Sequence, residues 1–349
     1  CKAWEFRKTE QGMKSRVSRR PTHGRATAQD VADLAGVSLT TVSRAFNPDL
    51  PVAKKTRELV RNAAEKLQYA PNMAARALAG RRSNLIGLLV NNFDDPEHLE
   101  LYRFVSAEAQ KRGFHALLLN IAQEGQQVEA VDAALQYQVD GLLVSASHLP
   151  ESLVQRGAEL QKPIVVVGRR TRRSEYSAIY CDNVGGAQAV ADFLYQNGCK
   201  RPALIGGSPE ATVVKERTAG FVGRIEQHYG FQPITRMAGT NGYETAAQAV
   251  AELLSLPVLP DGFFCTSDLI AIATSDVISQ KSPGLDPMIV GFGGTLLSRL
   301  KAYQFLSVQV PVEEMVSTAT SHLIDIIEEK DSGPREITFP SDLLSNPRD

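Results

Sequence analysis

The sequence lacks the features that mark several large classes of protein. Its four cysteines, Cys1, Cys181, Cys199 and Cys265, lie far apart and form no C-x-x-C pair. That argues against a zinc site and against a disulfide framework. Reduced, buried thiols and a cytoplasmic location are the expectation. No apolar run reaches about 18 residues, the length a membrane-spanning helix needs. The N-terminal stretch has no apolar core followed by small residues, so it does not read as a secretory signal. Also missing are G-x-S-x-G, H-E-x-x-H, G-x-x-x-x-G-K-[ST] and G-x-G-x-x-G. Gly185-Gly186 and Gly206-Gly207 are small-residue turns rather than phosphate loops. No Ser/His/Asp set is suggested by proximity, and a set assembled in space stays open. The sequence therefore gives no catalytic residue, no metal ligand and no cofactor, and it does not read as an enzyme.

A strong overall charge is absent too. The formal net charge is -1, which by itself argues against a nucleic-acid partner. The average conceals a split. Residues 1–83 hold 17 Lys+Arg against 7 Asp+Glu, a net of +10, and the remainder carries -11. A basic head on an acidic body points to an electrostatic partner for the head alone.

Residues 1–26 read as an arm without regular structure, with Lys14, Arg16, Arg19, Arg20 and Arg25 among Ser, Thr, Pro and Gly. The arm either touches phosphates or is a leader, with Met13 as the true start. Residues 27–70 read as three short helices. Thr27 followed by Asp30 has the spacing of a capping box. Ala35-Gly36-Val37 makes a turn, and Ser38 can cap a second helix from Leu39 to Phe46, ended by Asn47-Pro48-Asp49. A third helix is expected from about Ala53 to Tyr69, with Leu59, Ala63 and Leu67 inward. In this helix-turn-helix pattern Ala32, Leu34, Val37 and Val42 would join the first two helices. Leu39, Thr40, Ser43 and Arg44 would face outward, where such motifs meet base edges in the major groove. Residues 71–83 hold a short Ala-rich helix, Pro71 to Gly80, too short to stand alone in water.

From Leu85 on, apolar runs alternate with helical segments. The runs are Leu85–Val90, Ala116–Leu119, Gly141–Val144, Ile164–Val167, Ala203–Ile205, Gly262–Cys265 and Met288–Gly291. The helices are Leu99–Arg112, Val128–Gln138, Gly185–Asn197, Thr245–Leu254 and Leu269–Ser279. Continuous apolar strands mean burial on both faces, hence a parallel α/β sheet. The length favours two lobes. The fold class is an all-α helix-turn-helix head plus an α/β body of two Rossmann-like parallel-sheet lobes.

The segments "ATAQDVADLAGVSLTTVSRAFN", "VAKKTRELVRNAAEKLQYAPNMAARALAG", "LIGLLV", "VDGLLV", "YCDNVGGAQAVADFL", "CKRPALIGG", "ERTAGF" and "IVGFGG" strongly resemble, in order, the LacI family of bacterial transcription regulators. The resemblance covers about 320 residues and implies a periplasmic-binding-protein-like body. It implies base contacts from Leu39, Thr40 and Arg44, with Arg44 able to pair bidentately with guanine. Leu39, which has no hydrogen-bonding edge, would touch a thymine methyl group or pack locally. Thr27, Ser38, Thr41, Ser43 and Asn47 would hold phosphates and set register. In the hinge helix, Leu78 would wedge between base pairs, Ala75 would let paired hinges approach, and Asn72 would contact backbone. The alternative there is a plain linker helix.

The resemblance places lobe one at about 84–181 and 311–336, and lobe two at 182–310 and 337–349, with three crossings between them. It puts a small-molecule effector in the cleft, near Asn92, Asp95, His98, Ser147, Arg217, Ser267, Asp268 and Gly293. Glu97 and His98 replace two aromatic rings found in many relatives, and Gly293 replaces the Asp usual in sugar-binding members. Arg169, Arg170, Arg172 and Arg173, with Arg217, would favour an acidic or phosphorylated effector, or else form a solvated basic loop.

These readings combine into a cytoplasmic, nucleoid-associated repressor of a carbohydrate-related operon. It would bind a pseudo-palindromic double-stranded operator as a homodimer, or a tetramer. The effector would be a sugar, sugar acid or sugar phosphate. The rival reading is a solute-binding module with a non-functional head. An enzyme on the same scaffold is a third.

Overall fold

Local capping sets the first helix. The computed structural model describes residues 26–46, 50–70, 82–91, 96–121, 132, 136–145, 162–171, 176–300, 302–303, 305–331 and 333–343. They belong to two units, within Cys1–Arg81 and Arg82–Asp349. The arm, the expected helix at 71–80 and most of that expected over 128–138 lie outside the described residues.

In the first unit, Thr27 caps α1 (Ala28–Ala35) through a complete capping box with Asp30. Gly36, at φ 66°, ends the helix in the left-handed conformation that glycine adopts without strain. Ser38 caps α2 (Leu39–Ala45) by accepting from Thr41 N at 3.1 Å. α3 (Lys54–Lys66) packs across both. The core is Val31, Ala32, Val42, Ala45, Val60, Ala63 and Ala64. Two sequence expectations are corrected here. Leu34 is 52% exposed and Leu59 47% exposed. The buried stripe of α1 runs through Val31 and Ala32, which leaves Leu34 beyond its edge. In α3, Val60 with the small Ala63 and Ala64 forms the inward face, and that phase turns Leu59 to solvent.

The second unit holds two six-stranded sheets. The first contains β1 (Leu85–Asn91), β2 (His115–Ile121), β3 (Gly141–Ser145), β4 (Ile164–Val167), β5 (Ser177–Cys181) and β11 (Glu336–Phe339), in the order β11-β5-β4-β3-β1-β2, all parallel. The second contains β6 (Pro202–Gly206), β7 (Ile234–Met237), β8 (Gly262–Cys265), β9 (Met288–Gly293), β10 (Leu306–Gln309) and β12 (Asp342–Leu343), in the order β12-β10-β9-β8-β6-β7. Only β12 runs antiparallel to its neighbour. The helices are α4 (Pro96–Lys111), α5 (Asn183–Gln196), α6 (Thr212–Tyr229), α7 (Tyr243–Leu253), α8 (Asp268–Lys281) and α9 (Val312–Ile327). A 3-10 turn spans Leu296–Arg299.

The apolar runs read from sequence are strands, and α4, α5, α7 and α8 begin within three residues of expectation. β5, β7, β10, β11, β12, α6 and α9 were not expected. The tail is divided differently as well. Residues 337–339 pair with β5 in the first sheet, and the second lobe takes up the chain at β12.

The chain passes between sheets after β5, after β10 and between β11 and β12. The first and third passages are bonded together. Asp182 N donates to Phe339 O at 2.8 Å, and Ser341 Oγ donates to Asp182 O at 3.0 Å. α5 and α6 pack closely because Gly220 lets Val184 O approach, where a Cβ would stand 2.5 Å away. Phe221, Phe264 and Phe292 fill the core of the second lobe.

Candidate functional site

The outer face of α2 is the first candidate. Its register follows from which positions are apolar. Val42 and Ala45 turn into the three-helix core, so Leu39, Thr40, Ser43 and Arg44 are exposed together. Arg57, on α3, fixes the helix from behind. Its Nη1 donates to Ala45 O and its Nη2 to Leu50 O, both at 3.0 Å. Sequence reasoning missed Arg57, because nothing local distinguishes it from the neighbouring basic residues.

The expected phosphate contacts are partly engaged within the protein. Thr27 N and Oγ1 donate to Asp30 Oδ2 at 2.8 and 2.7 Å, which holds the Asp30 carboxyl below the usual carboxylate range. Ser38 Oγ caps α2 and lies 2.9 Å from Thr41 Oγ1. Asn47, Asn72, Ala75 and Leu78 lie outside the described residues.

The second candidate is where the two sheets of the body meet. Arg217, on α6, is buried at 5% exposure. Its Nε donates to Asn183 Oδ1 at 2.8 Å, its Nη1 to Thr266 O at 2.7 Å, and its guanidinium lies 3.8 Å over the Phe292 ring. This one side chain therefore joins the start of α5, the end of β8 and β9. Asn183 and Phe292 were not singled out from sequence.

Ser267 caps α8, accepting from Ile270 N at 3.4 Å. Asp268 is turned inward at 2% exposure. Its Oδ2 accepts from Thr295 N and Oγ1 at 2.7 and 2.8 Å, and its Oδ1 from Ser307 Oγ at 2.5 Å. Burial raises its carboxyl pKa against the pull of those donors, and the Glu97 charge adds to the rise. Gly293 ends β9 at φ 142°, and a Cβ there would lie 3.3 Å from Asp268 Oδ2.

On the first lobe, His98 is half-buried on α4. Glu100 Oε1, on the same helix, accepts from Leu296 N of the second lobe at 3.1 Å. Asn92, Asp95 and Ser147 lie outside the described residues, as do Arg172 and Arg173. Arg169 and Arg170 have different surroundings. Arg170 donates to Tyr180 Oη at 2.8 Å and to Glu336 at 3.3 Å, while Arg169 is buried.

A Ser/His/Asp alignment does occur in space. Ser177 Oγ lies 2.7 Å from His322 Nε2, and His322 Nδ1 lies 3.3 Å from Asp331 Oδ2. Arg335 N donates to Ser177 Oγ at 3.0 Å, and burial lowers the His322 pKa, which favours the neutral ring. Ser177 and His322 are 2% and 3% exposed. The hydroxyl is enclosed, and the Ser177–His322 contact joins β5 to α9. Among the described residues no cluster of three or more potential metal ligands occurs. Among them, too, no helix is long and apolar enough to cross a membrane.

An exposed recognition-type helix on a three-helix head, ahead of a two-lobed parallel α/β body, defines a DNA-binding regulator with a ligand-sensing domain. The chain belongs to the LacI family. Residues 27–72 match "Bacterial regulatory proteins, lacI family". Residues 83–346 match "Periplasmic binding proteins and sugar binding domain of LacI family". The chain is 28% identical to the ribose operon repressor of Halalkalibacterium halodurans, over 91% of this chain and 95% of that protein. It is 30% identical to the HTH-type transcriptional repressor PurR of Aliivibrio fischeri, over 92% of this chain and 97% of that protein. Among solved structures it resembles a transcriptional regulator CelR-cellobiose complex, at 27% identity and a TM-score of 0.69, covering 92% of this chain and 99% of that one.

Proposed function

We propose that this chain represses a carbohydrate-related operon in the cytoplasm, bound to the nucleoid as a homodimer on a pseudo-palindromic operator. A sugar, sugar acid or sugar phosphate held between the lobes sets its DNA affinity. The observation that carries this reading is the exposed row Leu39, Thr40, Ser43 and Arg44 on a helix clamped by Arg57. Arg44 reads a base and Thr40 supports it, while Ser43 sets register on the backbone. The sugar-related names of two relatives support the effector class. Catalysis is not part of the reading, and the burial of Ser177 and His322 supports leaving it out. A ligand that prefers one lobe arrangement shifts operator affinity by its differential binding to the two.

The test selects operator fragments from a random-sequence DNA pool and compares wild type with Arg44→Ala. Specific affinity should fall by about 1–3 kcal/mol, with weak salt-dependent binding to random DNA retained. Unchanged discrimination between operator and random DNA would remove α2 as the reading helix. Ligand binding with no salt-dependent DNA affinity would favour the solute-binding module.

A further inference from the structure

The chain arriving from the head is held where it enters the body. Arg82 is the first residue of the second unit, and β1 starts at Leu85. Ser83 and Asn84 lie between, outside any helix or strand. Backbone amides at such a place usually find water. Here one side chain takes both. Ser83 N donates to Asp140 Oδ1 at 3.1 Å, and Asn84 N donates to Asp140 Oδ2 at 2.7 Å. Asp140 stands in the segment Val139-Asp140-Gly141, one position ahead of β3.

The surroundings complete the hold. Asp140 N donates to Leu85 O and His115 N to Asn84 O, both at 2.8 Å. Asn84 Nδ2 donates to Gly113 O at 3.2 Å, and Leu85 N to Ser83 Oγ at 3.2 Å. Ser83 is buried. Asn84 sits at φ 56°, in the left-handed region. A non-glycine residue persists there where its neighbours over-determine it. One position earlier the grip is slight, since the Arg82–Glu329 pair is exposed and 3.8 Å apart. The firm hold therefore starts at Ser83.

A carboxylate suits this task. Each oxygen accepts from one amide, and hydrogen bonds to an ionised acceptor are roughly twice as strong as neutral ones. β1 does not need the clamp in order to be a strand. It is paired with β2 along Leu85–Asn91 and with β3 along Ile86–Val90. The clamp acts upstream of the sheet, on the two residues that join it to the incoming chain.

We propose that Asp140 is a positioning residue for operator binding, whose carboxylate fixes the direction in which the linker leaves the body. The inference rests on the reading of the chain as an operator-binding regulator. Two residues released from one conformation gain freedom that must be removed again when two heads engage two half-sites together. The contacts of each head with DNA are untouched. Specific binding, which needs both heads in register, is therefore weakened, and non-specific binding is not.

The test compares wild type, Asp140→Asn and Leu142→Val, each as the full chain. Leu142 is wholly buried in β3, so its truncation lowers stability without touching the clamp. Asp140→Asn keeps the shape and puts an N–H donor against one of the two amides. Amide exchange over residues 83–85, thermal melting, and affinity for a selected operator and for random DNA are measured. Asp140→Asn should exchange about tenfold faster over 83–85. It should also bind operator about tenfold more weakly, with its affinity for random DNA unchanged. Leu142→Val should lower Tm at least as far and bind operator as wild type does. Wild-type operator affinity in Asp140→Asn, unchanged exchange over 83–85, or an equal loss of operator affinity in Leu142→Val overturns the proposal. If Asp140→Asn does not fold, Asp140→Glu, which displaces the carboxylate by one methylene, is held to the same outcomes. A wild type that selects no operator refutes the regulator reading and the positioning role with it. A wild type that selects one, with Asp140→Asn binding it equally well, refutes the positioning role alone.

Discussion

Placing an aspartate at position 293, where the family resemblance leads one to expect it, should damage this protein, and the structure gives the size of the effect. Gly293 has φ 142°, and a Cβ there would lie 3.3 Å from Asp268 Oδ2 and from Thr295 Cγ2. Any side chain meets the backbone term, about 1–3 kcal/mol for a sparsely populated conformation. Aspartate adds a second carboxylate close to Asp268, which is buried and held by two hydroxyls and one amide. Like charges about 4 Å apart repel by about 4 kcal/mol at an effective dielectric of about 20. Gly293→Ala and Gly293→Asn should therefore each lose about 2 kcal/mol, and Gly293→Asp about 4 kcal/mol more at pH 7.5. Repulsion raises the folded pKa of the carboxyl pair, so the extra loss grows as pH climbs above the unfolded value of about 4. At pH 4 the Asp and Asn variants should converge. Urea denaturation of the three variants at both pH values, followed by circular dichroism, supplies the comparison. Equal midpoints for Gly293→Asp and Gly293→Asn at pH 7.5 would refute the claim that a carboxylate at position 293 is set against the Asp268 charge.

Two further outcomes follow from local geometry. Thr27→Ala removes the capping box of α1 and should cost about 1 kcal/mol, read as roughly fivefold faster amide exchange over residues 28–35; unchanged exchange would show that the box holds nothing. Burial, with the Arg335 charge, lowers the His322 pKa below its usual 6.5. The neutral ring is thus favoured by folding, and its contribution is complete above about pH 6.5 and lost as pH falls below that value. Wild type should lose more thermal stability than His322→Gln between pH 7.5 and 5.5, and parallel curves would exclude His322 as the cause.

The sequence was informative where burial is uniform or bonding is local. β1, β3, β4, β6, β8 and β9 announce themselves as apolar runs because neighbours cover both their faces. Thr27 and Asp30 are legible because a capping box spans only four residues. β7 reads Ile-Thr-Arg-Met at the sheet edge, half-exposed, and owes its strand to pairing with β6. β10 and β11 alternate polar and apolar residues and depend likewise on partners distant in the chain. Leu34 and Leu59 misled the reading by their size, since Ala63 and Ala64 can form a helix contact that a leucine count overlooks. The burial of Arg169 could not be read at all, because a list of residues shows a cation and folding decides what covers it. Ser177 and His322 meet across 145 positions for the same reason.

The paired passages beside Asp182 and Ser341 have a mechanical consequence. Two separate straps would let the lobes swivel about either one. Tied edge to edge by the Asp182–Phe339 and Ser341–Asp182 bonds, they act as a single flat spring. Such a spring is soft to folding across its width and stiff to torsion. The bonds between the two passages oppose twisting of one lobe on the other more than a change in the angle of closure.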